Sequence, residues 1–190
     1  MSAVAPQDRM TLAEFLAWEV QQAERHEFVD GEVFAMSGAE ANHVRTAGNV
    51  YVALRQHLTK GPCEVFYGDM KLQVDERIFY PDVFVTCSEA DRQRRQAMQA
   101  PSLIVEVLSP STAAYDRGDK FGFYRRIPGL REYALIDPAS RRCDVFRKQP
   151  DGLWLLHPFE PDEGIELASV DLCIEAETLF ARVDPAGETV

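Results

Sequence analysis

The stretch Leu103-Ile104-Val105-Glu106-Val107-Leu108-Ser109-Pro110 decides the fold. Its apolar residues, three before Glu106 and two after it, do not alternate with polar ones. The run therefore reads as a strand covered on both faces. Glu106 breaks that run. A carboxylate in such a place costs on the order of several kcal/mol unless something pairs with it. A buried ion pair, a face that opens to solvent, or a metal ion would each meet the cost, and the strand alone does not choose among them.

Downstream, Ser109-Pro110-Ser111-Thr112 makes a turn and an N-cap. The helix that follows runs through Ala113, Tyr115, Asp116, Lys120, Phe121, Tyr124 and Ile127 and is stopped by Pro128-Gly129. It joins the central strand to a second apolar run, Arg131 to Ile136, as a crossover connection does. Further β segments are expected over Cys143 to Lys148, Leu153 to Pro158 and Ile165 to Leu172, joined by turns such as Asp137-Pro138 and Asp151-Gly152.

Upstream, Ser88 to Ala100 is charged, carries Arg92, Arg94 and Arg95, and reads as an exposed helix or loop. Phe79 to Thr86 is a strand in which Pro81, lacking an N–H, stands near the start and leaves Asp82 at its mouth. Met70 to Val74 alternates, Cys63 to Tyr67 precedes it, and Asp75-Glu76-Arg77 supplies a turn. Asn42 to Lys60 has helical periodicity and ends at Gly61-Pro62, with His43 at its start. The stretch from His26 to Met36 is a hairpin around Asp30-Gly31, with Glu32 directly after the turn. Thr11 and Glu14 form a capping-box pattern ahead of Leu12, Phe15, Leu16 and Val20, predicting a first helix that ends near Glu24. Residues 1–9 are polar and read as loose.

The chain has 190 residues, 46% of them hydrophobic, which suits one domain with a single core. Its net charge of -11 is the wrong sign for binding a polyanion over the whole surface, so a nucleic acid would have to meet a basic patch or a metal-neutralised site. Cys63, Cys87, Cys143 and Cys173 are widely spaced, without the close pairs of a structural zinc site, and read as buried free thiols of a reducing cytoplasm. Neither a signal-peptide pattern nor a membrane-length apolar run is present, so a cytoplasmic protein is expected.

Asp82 at the mouth of one apolar strand, Glu106 inside another and Lys120 on the next helix form the candidate chemistry. Two carboxylates from adjacent strands suit Mg²⁺ or Mn²⁺, which take oxygen ligands and keep waters for substrate. A lysine beside them would stabilise charge on a phosphate or orient the attacking water. Asp116, four residues before Lys120, offers the simpler alternative of a helical ion pair worth roughly 0.3 to 0.5 kcal/mol. Spacing alone does not separate these two readings. Glu32 has an equally plain alternative as an exposed hairpin residue, and His43 as a helix-end residue.

Pro81-Asp82, the run Val105-Glu106-Val107-Leu108-Ser109-Pro110-Ser111-Thr112, Asp116, Lys120, Tyr124 and Glu132-Tyr133-Ala134-Leu135-Ile136-Asp137-Pro138 resemble the Uma-type restriction-endonuclease-like family of the PD-(D/E)XK nuclease superfamily. Phe28-Val29-Asp30-Gly31-Glu32 and His43 fit the same pattern, and the resemblance spans roughly residues 10 to 182. It implies an α/β (α+β) fold, a mixed central sheet flanked by helices, with the core roughly over residues 24–150. It further implies a divalent metal, Mg²⁺ or Mn²⁺, held by Asp82 and Glu106 with the Val107 carbonyl, Glu32 as an additional acid, Lys120 as the catalytic lysine, and Tyr124 and His43 in support. The superfamily's usual lysine stands two residues after the acid, where this chain has Leu108, so the helix must supply it. Asp69-Met70-Lys71 has the acid-x-lysine spacing but precedes Pro81-Asp82, in the wrong order.

The function expected from the resemblance is Mg²⁺-dependent hydrolysis of phosphodiester bonds in DNA by a protein able to form a homodimer, with Arg92, Arg94, Arg95, Arg125 and Arg126 available for the substrate. Two rivals stand beside it: a catalytically inactive nuclease-fold protein that binds nucleic acid or regulates a partner, and a hydrolase of a small phosphorylated substrate. The second has no phosphate-cradling glycine loop to support it.

Overall fold

The computed structural model describes residues 9–36 and 38–184, so the expectation for the first residues falls, apart from Arg9, outside the described part. Helix α1, Leu12–Glu19, starts at the predicted capping box. The Thr11 side chain accepts from the Glu14 N–H while the Glu14 carboxylate accepts from the Thr11 N–H. Strands β1 (His26–Val29) and β2 (Glu32–Ala35) pair around Asp30-Gly31, both at positive φ, as a tight hairpin turn requires. Helix α2 follows over Ala41–His57 and tightens into a 3₁₀ turn at Leu58–Lys60.

Strands β3 (Glu64–Tyr67), β4 (Lys71–Val74) and β5 (Arg77–Phe79) come next, then β6 (Val83–Thr86), a short helix Glu89–Arg92 and the two-residue β7 (Ala97–Met98). Central strand β8 covers Pro101–Val107, and all seven of its residues are buried. A helical stretch over 113–124 leads to β9 (Glu132–Asp137), β10 (Arg142–Lys148), β11 (Trp154–Phe159), β12 (Ile165–Leu167), β13 (Leu172–Ile174) and a last short helix, Ala176–Leu179.

Two sheets carry the molecule. One has the order β11-β10-β9-β8-β6-β3 and the other β2-β1-β5-β4-β7. β8 lies inside the first, antiparallel to β6 and parallel to β9, so the helical stretch between β8 and β9 is the predicted crossover. Its side chains divide by strand alternation. Leu103, Val105 and Val107 pack into a core with Ala47, Val50 and Leu54 of α2. Ile104 and Leu108 face the other way, among Phe79, Tyr124, Ile127 and Tyr133. Glu106 therefore points at the crossover helix. Burying each of these aliphatic side chains contributes about 1.5 to 3 kcal/mol.

Five expectations need correction. The first helix stops at Glu19 with Val20 as its C-cap, short of the expected Glu24. The run Phe79 to Thr86 is two strands in different sheets, because the chain leaves β5 at Phe79 and enters β6 at Val83, with Tyr80-Pro81-Asp82 crossing between the layers. Ile165 to Leu172 is likewise not one strand. It turns through a 3₁₀ helix, Ala168–Val170, and pairs back as β12 with β13. Thr112 makes no side-chain cap; the helix start is closed instead by the Ala113 N–H on the Ser109 carbonyl at 2.9 Å. The thiols are not all free and buried: Cys63 and Cys87 form a disulfide, Cys143 is free and buried, and Cys173 is free and exposed. The antiparallel β3–β6 register, with Glu64 opposite Thr86, brings the two bonded cysteines together across 24 positions of sequence.

Gly164 enters β12 at φ +74°, where a β-carbon would stand 2.8 Å from the Ala176 N and collide with the Ile174 carbonyl. Left-handed strain and the clash together predict that Gly164→Ala costs at least about 2 kcal/mol. A denaturant titration showing an unchanged midpoint would contradict this. No helix among the described residues is long and apolar enough to cross a membrane.

Candidate active site

Glu106 is 3% exposed, and both of its oxygens are engaged. Oε1 accepts from the Lys120 ammonium at 2.9 Å and from the Tyr124 hydroxyl at 3.0 Å, while Oε2 accepts from the Asp82 backbone N–H at 3.3 Å. Asp82 lies one residue before Val83, which pairs with Val105, so the two acidic residues stand side by side across β6 and β8. The Asp82 carboxylate accepts from the Val107 N–H at 2.7 Å and faces His43 Nε2 at 3.2 Å. The His43 ring also has the Val107 carbonyl as a partner. Asp82, Glu106 and the Val107 carbonyl thus border one another, with the Asp82 side chain 22% exposed at the open side.

Lys120 sits among carboxylates. Its ammonium is 2.9 Å from Glu106, 3.1 Å from Glu27 and 3.5 Å from Asp116. The helical pair with Asp116 exists and is the longest of the three, so it does not account for the lysine's position. Asp116 and Lys120, both buried, bound a π turn, Asp116–Lys120, inserted between Ala113–Tyr115 and Phe121–Tyr124. Such widened turns recur at functional sites. Tyr133 of β9 donates to the Asp116 carbonyl at 3.0 Å, satisfying an acceptor in the widened turn.

The hairpin supplies Glu27 to this cluster, not Glu32. On β1, Phe28 stacks on Phe15 of α1 with ring centroids 4.9 Å apart, which leaves its neighbour Glu27 on the opposite face. Glu27 is 3% exposed. Glu32 is exposed beside the turn, its side chain 51% accessible and 3.8 Å from Arg9. The turn places Glu32 at the solvent end of the hairpin, and none of the cluster's ion pairs or hydrogen bonds involves it. The signal that would have found Glu27 is the one that singled out Glu106: a lone acid within an apolar strand, here His26-Glu27-Phe28-Val29. Asp69 and Lys71 lie elsewhere, Asp69 exposed and 3.5 Å from Arg25, Lys71 over the Tyr80 ring.

Four carboxylates, Glu27, Asp82, Glu106 and Asp116, face one ammonium and one imidazole. The imbalance appears in the proton affinities. Burial pushes the Glu106 carboxyl up to about 8; Lys120 opposes the shift, and the charges of Asp82 and Asp116 add to it. Lys120 is itself held well above its ordinary range: burial works against its charge, and Glu106 and Glu27 outweigh that burial. For His43 burial lowers the proton affinity, but the hydrogen bond to Asp82 and its charge raise it overall.

Glu106 thus keeps its proton to a higher pH when folded, about 8 against an ordinary 4.5. The folded state binds the extra proton between those values, so this group lowers stability as pH rises from about 4.5 to about 8. His43, also raised, contributes stability that is present below its ordinary 6.5 and lost as pH climbs through its folded value. Both act in one direction. The urea midpoint of the metal-free protein is expected to fall across that window, and Glu106→Gln to flatten the fall; an unaltered slope in the variant would refute the assignment.

The donor set fits a hard divalent cation. Two carboxylates and a backbone carbonyl converge, with excess negative charge around them, and such ions complete their shells with water. Among the described residues no three His, Cys, Asp or Glu side chains are arranged to hold an ion, so the protein's share at this place would be limited to two carboxylates and a carbonyl.

A mixed sheet flanked by helices, with a proline-aspartate crossing into the central layer and an acid on the next strand, defines a restriction-endonuclease-like fold. A crystal structure of a protein from Anabaena variabilis ATCC 29413, described as a putative nuclease belonging to DUF820, shares this fold with TM-score 0.74 over 90% of this chain and 98% of its own, at 19% identity. The chain belongs to the Uma2 family, described as "Putative restriction endonuclease", whose model matches residues 12–176. Relatives in Synechocystis sp. (strain ATCC 27184 / PCC 6803 / Kazusa) include the uncharacterized protein slr1290, 38% identical over 94% of this chain and 95% of its own length. Another is the uncharacterized protein sll1609, 42% identical over 82% and 90%.

Proposed function

We propose that the protein is a divalent-metal-dependent endonuclease that hydrolyses phosphodiester bonds in DNA. The observation that carries the reading is the group of three buried carboxylates around Lys120, with Asp82, Glu106 and the Val107 carbonyl side by side at its open end. Asp82, Glu106 and the Val107 carbonyl would hold Mg²⁺ or Mn²⁺. The ion would supply Lewis-acid stabilisation of the phosphoryl oxygens and bring coordinated water to the site.

The chain's own groups have distinct parts in this reading. Tyr124, donating to Glu106 Oε1, fixes that carboxylate in place, and the Val107 N–H fixes Asp82. Lys120 supplies positive charge where the phosphate becomes more negative in the transition state. Its link to Asp116, the longest of three, is the one it would release most readily. His43 stands at the mouth beside Asp82. The exposed Arg92, Arg95 and Arg125 offer local positive charge on a chain of net charge -11, while Arg94 and Arg126 are paired with Asp91 and Asp75, so phosphate contact would be local rather than spread over the surface. Cutting both strands of a duplex in the cytoplasm would need two such centres, which a homodimer would provide.

Incubation of circular and linear DNA with the purified chain and Mg²⁺ or Mn²⁺ tests this. Metal-dependent nicking or linearisation of the circle, abolished by a chelator, is the expected result. An uncut circle with both ions would refute it.

A further inference from the structure

The two large sheets end in four outer strands, and three of these are short or carry charge. β3 is four residues long and begins with Glu64, β2 is four residues long and begins with Glu32, and β7 has two residues. The fourth, β11, is different. It runs for six residues, Trp154-Leu155-Leu156-His157-Pro158-Phe159, without a lysine, arginine or acid. Leu155 and Leu156 are 51% and 45% exposed, and Leu153 just before them is 67% exposed. A long, apolar, uncharged edge is a template for pairing with another chain.

The direction of the free backbone groups of β11 follows from its hairpin with β10. The Gln149 N–H donates to the Leu153 carbonyl at 2.7 Å, while Lys148 turns its N–H the other way, to the Arg131 carbonyl at 2.9 Å. Backbone groups alternate along an antiparallel pair, and Arg147 stands opposite Leu155. Leu155, His157 and Phe159 therefore bond inward to β10. Trp154, Leu156 and Pro158 turn their backbone groups out. Pro158 has no N–H, and it falls where that donor would have faced outward, the place proline takes on an edge strand.

We propose that β11 pairs antiparallel with β11 of a second copy of this chain, about a two-fold axis at Leu156. The outward groups fit this register. The Leu156 N–H and carbonyl bond reciprocally to those of the other Leu156, and each Trp154 N–H reaches the Pro158 carbonyl of the other copy. The donor that proline lacks is then missing only at the ends of the ladder. Moving the axis one residue, to His157, would set the missing donor against the central Leu156 carbonyl.

The side chains match as well. Leu156 meets Leu156, Trp154 lies opposite Pro158, and Leu153 lies opposite Phe159, so exposed apolar surface is covered by apolar surface. A foreign strand could use the same backbone groups, but β11 supplies both halves of this match itself, as a two-fold interface requires. Two copies of net charge -11 repel one another overall, and β11 is an edge where they meet without bringing an acid. The two six-stranded sheets become one continuous sheet. The pairing depends neither on a metal nor on cleavage, and it gives the homodimer invoked above its surface.

Sedimentation velocity of the full chain over a concentration series tests this. The parent is expected to sediment at twice the mass of one chain. Leu156→Lys, which sets two ammoniums at the axis, should keep the parent's circular dichroism and weaken the dimer roughly 30-fold or more. A parent that stays monomeric overturns the proposal, even if it binds an extended peptide. So does a dimer that Leu156→Lys leaves at the parent's affinity, because the contact then lies elsewhere. Cross-linking reads the register in a Cys173→Ser background, which removes the exposed free thiol. A short bis-maleimide should join Leu156→Cys chains, whose Cα atoms would face each other at about 5.5 Å. It should fail to join Leu153→Cys chains, which would stand about 20 Å apart along the paired strands. Any other pattern overturns the proposal, and this arm decides the matter should Leu156→Lys fail to fold.

Discussion

Replacing Lys120 by alanine will destabilise the metal-free protein by about 3 to 5 kcal/mol, the usual consequence of removing one partner of a buried charge cluster. The ammonium is buried with Glu106, Glu27 and Asp116 at 2.9, 3.1 and 3.5 Å, and its loss leaves three carboxylates facing one another. Proton uptake by Glu106, already raised to about 8, relieves part of that repulsion, so the variant's deficit should grow as pH rises. Thermal melts at pH 6 and pH 8 would show this. Mn²⁺ should raise the variant's Tm by more than it raises the parent's, since the ion restores positive charge to the same group of acids. Cleavage should be lost. Asp116→Asn should be far milder, because Lys120 keeps its two shorter contacts. A Lys120→Ala protein with the parent's Tm would mean that the lysine does not hold the cluster together.

Glu106→Gln carries the second large effect, in the opposite thermodynamic sense. The amide keeps the side chain's shape and can still accept from Tyr124, yet it cannot ionise. Because the native carboxyl already favours its neutral form below about 8, the metal-free variant should be as stable as the parent at neutral pH or slightly more stable. Divalent-ion affinity should nevertheless fall by roughly 10-fold to 100-fold or more, and cleavage by about 10³-fold, because one of two charged ligands has gone. Calorimetry and a plasmid nicking assay measure these two losses. Stability kept while metal binding and cleavage are lost marks a residue retained for chemistry. If stability collapses and metal affinity survives, Glu106 is only the lysine's partner.

How far the sequence exposed this arrangement depended on whether the cause was local. The Thr11–Glu14 capping box, the Asp30-Gly31 turn and the β8-to-β9 crossover were readable because each is set by neighbours a few residues apart. The apolar run from Leu103 to Val107, broken only by Glu106, correctly marked the buried strand, and that one acid stands in the charged cluster. The break between Phe79 and Val83 was hidden because strands buried in either sheet look alike in periodicity, and Pro81 was the one sign of it. The Cys63–Cys87 bond follows from strand pairing across the sheet, for which 24 residues of spacing give no clue. Glu27 and Glu32 lie on one hairpin, and choosing between them required knowing which end meets the second layer. The π turn that carries Asp116 and Lys120 was equally invisible, because a one-residue widening hardly disturbs the helical pattern.

Lys120 held equal claims in the sequence as Asp116's helical partner and as a member of the site. The structure joins them in one network, with the bond to Asp116 as its weakest link. The same network accounts for a carboxylate in the middle of β8. Glu106 is tolerated because Lys120, Tyr124 and the Asp82 N–H meet its oxygens, and it remains electrostatically unsettled because Asp82 and Asp116 are near. That residual excess of negative charge is what a bound cation would offset.

The decisive measurement is a calorimetric titration of Mn²⁺ into the metal-free parent and into Asp82→Asn, in two buffers of different ionisation enthalpy at pH 7. One site in the parent, with proton release on binding as Glu106 gives up its proton, and loss of that site in Asp82→Asn, is the predicted result. Absence of binding in the parent, or binding that survives Asp82→Asn unchanged and releases no proton, would contradict a metal centre at Asp82 and Glu106.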